Sequence, residues 1–170
     1  MVSMKSIITE RKTFTGESFS ENIIARQVFD ECVFRNCFFG SADLSGCTFN
    51  GATFEGCDLS SATVKNTVLS DCRFKECKLL AVDLYKASRM TSGLKFTGCI
   101  MDYCSFYGMS AAESVFEKCR LISVDFTEAN IRNSLFGQSD LSGAVFNATD
   151  LRECDFRDSH NYFIDPRANK

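Results

Sequence analysis

The chain has 170 residues, 45% of them hydrophobic, and a formal net charge of −3, which fits one compact domain. The N-terminal stretch MVSMKSIITERK lacks the apolar run of a signal peptide, and no stretch reaches the roughly 18 apolar residues that a membrane span needs. These features exclude a membrane protein and predict a cytoplasmic location.

Residues 1–12 precede the regular part of the sequence and are predicted to form an N-terminal cap, with an edge strand around SIITE. From Phe14 onward a bulky apolar residue, here called a centre, occupies every fifth position. Fifteen of the 17 phenylalanines are centres, so the period is a property of the whole chain. A period of five fits neither the 3.6 of a helix nor the 2.0 of a strand.

The position two residues before each centre, here called the slot, holds all ten cysteines and otherwise mostly Ala, Ser and Thr. Both positions lie on the same side of an extended backbone, so each pentad is predicted to be a short strand-like segment that points inward, followed by a turn. The cysteines are interpreted as small buried hydrophobic residues. Disulfides or zinc remain the alternatives, although His160 is the only histidine.

Glycine or asparagine follows several centres by two residues, where a corner of the chain would need it. These positions are Asn36, Gly46, Gly51, Gly56, Asn66, Gly98, Gly108, Asn133 and Gly143.

The segments ADLSGCTFNGATFEGCDLSSA (42–62) and SDLSGAVFNATDLRECDF (139–156) resemble the pentapeptide-repeat family, whose pattern is A(D/N)LXX. The resemblance covers about residues 14–158. It implies an all-β fold, a right-handed quadrilateral β-helix of four pentads per coil, with about seven coils. Residues four pentads apart should then stack, and one column of phenylalanines follows from this: Phe14, Phe34, Phe54, Phe74, Phe96, Phe116, Phe136 and Phe156.

The segment YKASRMTSGLKF (85–96) interrupts the period, because Leu84 and Phe96 are two residues too far apart. We expect a small bulge at 85–95 that extrudes two residues and keeps the column in phase, with Met90 filling the missing centre. The bulge would present Tyr85, Lys86 and Arg89 to a partner. The alternative is a tolerated insertion without a role.

The repeat is predicted to end at Phe156, which gives a β-helix over 13–158 and a C-terminal tail over 159–170 with the chain's one proline, Pro166. Either further residues follow the tail, or Tyr162, Phe163 and Ile164 cover the end of the solenoid. The resemblance is compatible with a homodimer formed through the C-terminal end.

No nucleotide-binding, zinc or catalytic-triad motif occurs, so we predict no enzyme, no cofactor and no metal. Basic residues form no groove with exposed aromatics, which argues against direct binding of nucleic acid. Residues 13–158 carry 20 acidic and 14 basic side chains. One predicted acidic face holds Glu31, Asp71, Glu113, Asp150 and Glu153, with a solvated surface of no purpose as the alternative.

The segment FEKCRLISVDFTEANIRNSLFGQSDLSGAVF (116–146) resembles the quinolone-resistance (Qnr-type) members of the family and related immunity proteins. The resemblance implies that the rod mimics DNA, binds DNA gyrase or topoisomerase IV, and protects them from quinolones or peptide poisons. A duplex of about 34 Å carries about 20 phosphate charges, whereas residues 13–158 have a balance of −6. A single acidic face would therefore have to do the binding. The alternative function is a structural scaffold that binds another protein.

Overall fold

The protein, seen in a computed structural model that describes residues 7–20 and 24–170, is a four-sided β-solenoid in which every strand pair is parallel. Side 1 carries a four-stranded sheet in the order β1-β3-β5-β7, and side 2 carries a six-stranded sheet in the order β10-β9-β8-β6-β4-β2. Sides 3 and 4 consist of isolated bridges such as Phe38 to Asp58 and Asp43 to Thr63. The strands are β1 (Ile8–Glu10), β2 (Thr13–Thr15), β3 (Val28–Asp30), β4 (Val33–Arg35), β5 (Thr48–Asn50), β6 (Thr53–Glu55), β7 (Val68–Ser70), β8 (Arg73–Lys75), β9 (Lys95–Thr97) and β10 (Val115–Glu117).

The strand register confirms the predicted column of phenylalanines on side 2. Phe14 pairs with Phe34 in the next coil, and Phe74 pairs with Phe96 across the insertion. Successive rings in the column are stacked with centroids 4.7 to 5.4 Å apart. Such offset ring pairs add about 0.5–1.5 kcal/mol each beyond their buried area. The column therefore joins all the coils into one core.

Most of the cysteine, serine and threonine residues in the slot contribute a hydrogen-bond donor as well as a small volume. The Cys47 thiol donates to the carbonyl of the centre Ile24 at 2.9 Å, and the Thr149 hydroxyl donates to that of Phe126 at 2.8 Å, in each case reaching back to the preceding coil. The same bond is made by Cys57, Thr67, Cys72, Cys77, Cys99, Cys104, Ser134, Ser139 and Cys154. The ten cysteines are free and all but Cys154 are buried, as expected of small core residues.

The corners are turns in which the residue two after the centre has a left-handed conformation. All nine of the glycines and asparagines predicted at corners have positive φ, between 50° and 70°. Non-glycine residues also take this conformation, including Ala81, Lys118 and Ala148. A left-handed conformation costs an L-residue roughly 1–2 kcal/mol. The stacking of the coils must therefore offset a cost that recurs at many corners.

The interruption of the repeat adds a projection at the corner between sides 4 and 1. A 3-10 turn over Leu84–Lys86 replaces the usual corner. The Ser88 amide donates to the Thr67 carbonyl, and the two residues are as far apart in sequence as in the equivalent bond from Val68 to Cys47 one coil earlier. The Ser92 amide donates to the Leu69 carbonyl, and here the sequence separation is two residues longer. The two surplus residues therefore lie between Ser88 and Thr91.

These two residues are Arg89 and Met90, and the prediction that Met90 fills the missing centre is wrong. Met90 is 74% exposed, while Thr91 is 5% exposed. The Thr91 hydroxyl accepts a hydrogen bond from the Leu69 amide at 3.2 Å and donates one to the Thr67 carbonyl at 3.4 Å. Thr91 takes the centre because it satisfies backbone groups that a thioether cannot.

The predicted all-β β-helix is confirmed, with a slightly different number of regular coils. We predicted about seven, whereas strand pairing on side 2 spans six strands, and thus five steps from coil to coil. Beyond β10 the register continues as single bridges such as Val115 to Leu135 and Leu135 to Asp155. The C-terminal coils are therefore joined by fewer paired residues than the N-terminal ones.

The hydrogen bonding between coils continues to both ends of the described solenoid. At the start, β1 pairs with β3 with Thr9 opposite Phe29, while residues 1–6 of the predicted cap lie outside the described part. At the C-terminal end, the Ala148 amide bonds the Ala168 carbonyl at 2.7 Å, and the Asn169 amide group donates to the Phe146 carbonyl at 3.1 Å.

The aromatic residues of the tail do not all cover the end. Ile164 packs against the core and the Tyr162 ring lies 5.2 Å from that of Phe156, but Phe163 is 79% exposed. The expectation that all three residues cover the end is therefore wrong for Phe163. The division into 1–12, 13–158 and 159–170 stays a prediction.

Candidate functional site

Four of the five predicted acidic residues lie in one row along the corner between sides 1 and 2, here called the acidic edge. The acidic edge consists of Glu31, Asp71, Glu113 and Glu153, each in the left-handed corner position with φ of 50°, 52°, 60° and 61°. Gly51, Gly93 and Asn133 occupy the same position in the coils between them. With about 4.8 Å between strands, a carboxylate recurs about every 10 Å along this edge.

The fifth predicted residue, Asp150, lies on side 1 outside the acidic edge. It forms a bridge with Asn130 in the row of residues that precede the centres. Arg152 donates to Asp150 from Nη2 at 2.5 Å and from Nε at 2.8 Å, and these hydrogen bonds lower the pKa of Asp150 to about 2. Its charge is therefore committed to a neighbour within the chain.

The charges of the acidic edge are not all equally available. Glu31 accepts a hydrogen bond from Arg11 Nε at 2.7 Å, with both side chains mostly exposed. Exposed pairs of this kind contribute little, about 0–1 kcal/mol. Asp71, Glu113 and Glu153 occur in no ion pair among the described residues. These three carboxylates form the accessible negative charge of the edge.

Beside the bulge, the acidic edge borders an open depression that spans the corner between sides 1 and 2. Asp71 and Glu113 line it together with Thr91, Lys95 and small residues. A Cβ at Gly93, which has a φ of +65°, would lie 2.4 Å from Asp71 Oδ1 and 3.2 Å from Asp71 Cα. Glycine at this corner thus lets the carboxylate of the preceding coil lie against the backbone.

The three residues predicted to act in the bulge do not form one projection. Tyr85 and Lys86 lie in the 3-10 turn on side 4, where Lys86 is bonded to Asp83 at 2.5 Å and its Nζ lies 5.5 Å from the Tyr85 ring centroid. Arg89 lies past the corner, in the two-residue projection with Met90. The projection itself therefore consists of one cationic and one apolar side chain.

An exposed aromatic pair next to the bulge was missed by the sequence analysis. The rings of Tyr85 and Tyr107 meet edge to face on side 4, with centroids 6.3 Å apart. The pair could have been found from the sequence, because Tyr85 and Tyr107 are separated by one coil plus the two inserted residues, as Phe74 and Phe96 are. Tyrosines in such positions are typical of protein interfaces.

Nine of the ten thiols are buried, which leaves Cys154 as the one partly accessible at the surface. Burial raises the pKa of the Cys72 and Cys104 thiols to about 12, which keeps them protonated. Within the described part of the chain, no group of three or more His, Cys, Asp and Glu side chains is placed to hold a metal ion. In the same part, no helix is long and apolar enough to span a bilayer.

Comparison with known proteins gives matches to family models and to solved structures. The model described as "Pentapeptide repeat region" matches residues 88–161, and that described as "Pentapeptide repeats (8 copies)" matches 28–66 and 54–88. No curated protein matches the chain at a significant level.

Two solved structures similar to this chain are trypsin-treated variants of QnrB1, described as a plasmid-mediated fluoroquinolone resistance protein. One has 20% identity and a TM-score of 0.63, and the match covers 98% of this chain and 89% of the chain in that structure. The other has 22% identity and a TM-score of 0.53, covering 96% and 88%. At this identity the likeness establishes the fold.

Proposed function

Because the chain belongs to the pentapeptide-repeat family and shares its fold with QnrB1, we propose that it is a non-catalytic rod that binds a type II topoisomerase. The partner would be DNA gyrase or topoisomerase IV, and binding would protect it from quinolones or other topoisomerase poisons in the cytoplasm. The observation that carries the proposal is the acidic edge. It presents carboxylates in a straight row on a rigid rod, where a surface that binds DNA phosphates could accept them.

The acidic edge fits this role better than overall charge does. Residues 13–158 have a net charge of only −6. On side 2, next to the edge, Arg73 pairs in register with Lys95, so negative charge does not surround the rod. A partner would therefore approach along the edge between sides 1 and 2, and Asp150, already bonded to Arg152, would contribute less than predicted.

The test is gyrase supercoiling and topoisomerase IV decatenation, each with and without ciprofloxacin and over a range of protein concentrations. Protection or inhibition would support the proposal. If the protein changes neither reaction, the topoisomerase proposal is wrong and a scaffold that binds another protein is favoured.

A pair of double variants separates the acidic edge from general negative charge. Asp71→Asn with Glu113→Gln removes two edge charges, whereas Glu76→Gln with Asp158→Asn removes two from left-handed corners off this edge. We expect the edge variant to require roughly tenfold more protein for the same effect, at up to about 1 kcal/mol per exposed ion pair. An equal loss in both variants would contradict a role for the edge.

The role of the bulge in partner choice can be tested by deletion of Arg89 and Met90. The deletion joins Ala87-Ser88 to Thr91-Ser92-Gly93, which is a complete pentad with Thr91 as its centre. We expect the fold to persist and topoisomerase protection to fall. Unchanged protection in a folded variant would show that the bulge is a tolerated insertion.

The exposed aromatic residues of the tail support a homodimer through the C-terminal end. Phe163 is 79% exposed and Tyr162 is 44% exposed. Burial of such side chains is a common driving force for association. Sedimentation equilibrium should show a dimer that Phe163→Asp converts to a monomer, and a monomeric wild-type protein would refute this part of the proposal.

A further inference from the structure

The turn at the bulge contains a complete binding arrangement for a cation within the chain itself. Lys86 Nζ lies 5.5 Å from the centroid of the Tyr85 ring and 2.5 Å from Asp83 Oδ2. The ammonium group thus has an aromatic ring and a carboxylate as its partners. Both contacts attract a cation, the ring through its quadrupole and the carboxylate through its charge.

The next coil repeats the aromatic part of this arrangement without the cation, and Ser105 takes the position of Asp83. Tyr107 occupies the position of Tyr85 one coil later, and the two rings are in edge-to-face contact at 6.3 Å. Gly108 stands where Lys86 stands, with a φ of +60°, and a Cβ placed there would meet no atom within 4 Å. The corner beside the Tyr107 ring is therefore open, and Tyr107 is 45% exposed.

Carboxylates of the following coil border this open corner. The Gly108 amide bonds the Thr127 carbonyl at 2.9 Å, which brings the adjacent Glu128 to the same corner. The charge of Glu128, a hydrogen bond to it and the charge of Asp125 raise the pKa of Tyr107. Glu128 takes part in no ion pair within residues 7–20 and 24–170. The corner has a negative field but, among those residues, no cation paired with Glu128.

We propose that Tyr107, Glu128 and the open corner at Gly108 receive an arginine or lysine side chain of a protein partner. The cation would lie against the Tyr107 ring and Glu128, as Lys86 lies against Tyr85 and Asp83 one coil earlier. Charge complementarity selects this occupant, because an anionic partner would be repelled by Glu128 and Asp125. The identification of that partner as a topoisomerase rests on the proposed function; the cation site does not.

The sharpest variant is Gly108→Lys, which would supply the missing cation from the chain itself. A lysine is tolerated in this conformation elsewhere, since Lys118 has a φ of 54°. The matched control is Gly16→Lys, because Gly16 has a φ of +65° and also has no atom within 4 Å of a Cβ. Both variants add one positive charge at a left-handed corner, and only the first fills the proposed site.

A blocked tri-arginine peptide serves as the probe, and blocked tri-glycine controls for the peptide backbone. In amide NMR spectra of the full chain, tri-arginine should shift the resonances of Tyr107, Gly108 and Glu128 saturably. Gly16→Lys should retain these shifts and Gly108→Lys should lose them. If the shifts spread evenly over all acidic corners, or survive in Gly108→Lys, the inference is wrong.

Binding to immobilised DNA gyrase distinguishes the failure of this inference from that of the proposed function. If the wild-type protein binds, we expect Tyr107→Ala and Gly108→Lys to weaken binding at least about tenfold, a typical effect for an interface tyrosine. Tyr103→Ala, at an exposed tyrosine on the neighbouring corner, should change it less than twofold. Equal binding by all variants overturns the inference alone. If the wild-type protein does not bind gyrase, the proposed function fails and the peptide titration decides the inference.

Discussion

Replacement of Phe116 by alanine tests the claim that the aromatic column holds the coils together. The Phe116 side chain is fully buried. Its ring is stacked between those of Phe96 at 5.4 Å and Phe136 at 4.9 Å, and it meets Phe106 and Phe126 edge to face at 5.6 and 5.9 Å. Four aromatic partners surround a single side chain.

The expected loss in the free energy of unfolding is large. A buried Phe→Ala change costs about 3–5 kcal/mol through lost transfer energy and the cavity that remains. Each aromatic pair adds about 0.5–1.5 kcal/mol beyond its area. The rings on both sides are held by their own coils and cannot close the cavity, so Phe116→Ala should cost about 4–5 kcal/mol, the upper part of that range.

Guanidinium unfolding followed by circular dichroism under reducing conditions measures this loss. Phe38→Ala is the matched control, because Phe38 lies outside the column, is 48% exposed and covers Gly40. The control should cost roughly 1 kcal/mol. If both variants lose the same amount, the solenoid is not stabilised by its aromatic column and the reasoning is refuted.

Gly93→Ala should lower the free energy of unfolding by about 2–3 kcal/mol, because the new Cβ would meet backbone atoms at a left-handed corner. Gly108→Ala should lower it by about 1 kcal/mol, because its corner is equally left-handed but open. Urea unfolding measures both losses, and equal losses would contradict this prediction. The pKa of Asp150 is depressed to about 2, so its contribution to stability is present above the unfolded value near 3.9 and is lost as pH falls towards 2. Carboxyl NMR should show a midpoint near 2, and Asp150→Asn should flatten the fall in stability between about pH 4 and 2. Cys154, the one partly exposed cysteine, should react first with a thiol reagent in the folded protein, and labelling of buried cysteines at the same rate would disprove the packing.

The regular part of the fold could be predicted because its chemistry repeats. Phe34 and Phe54 must stack once a coil consists of four pentads, whatever the details of the corners. The insertion could not be placed in the same way. Hydrophobicity favoured Met90 as a centre, whereas the structure uses Thr91, because Leu69 presents an amide that needs an acceptor at that position.

The candidate site was predictable only where it follows the period of the repeat. Glu31, Asp71 and Glu113 share a row because they share a position in the pentad. Asp150 was predicted on the same face, but it occupies another position in the pentad and is bonded to Arg152. The space beside Tyr107 depends on Gly108 and on a carboxylate in the following coil, a relation that composition does not contain.

The sequence by itself determined the solenoid, its period and its core, because burying one large and one small side chain per pentad leaves the chain few other ways to exclude water. The tertiary structure decided which outward side chains become neighbours and which charges are neutralised. Those outcomes depend on contacts between successive coils, on the two residues extruded at Arg89 and Met90, and on hydrogen bonds that have no counterpart in local sequence.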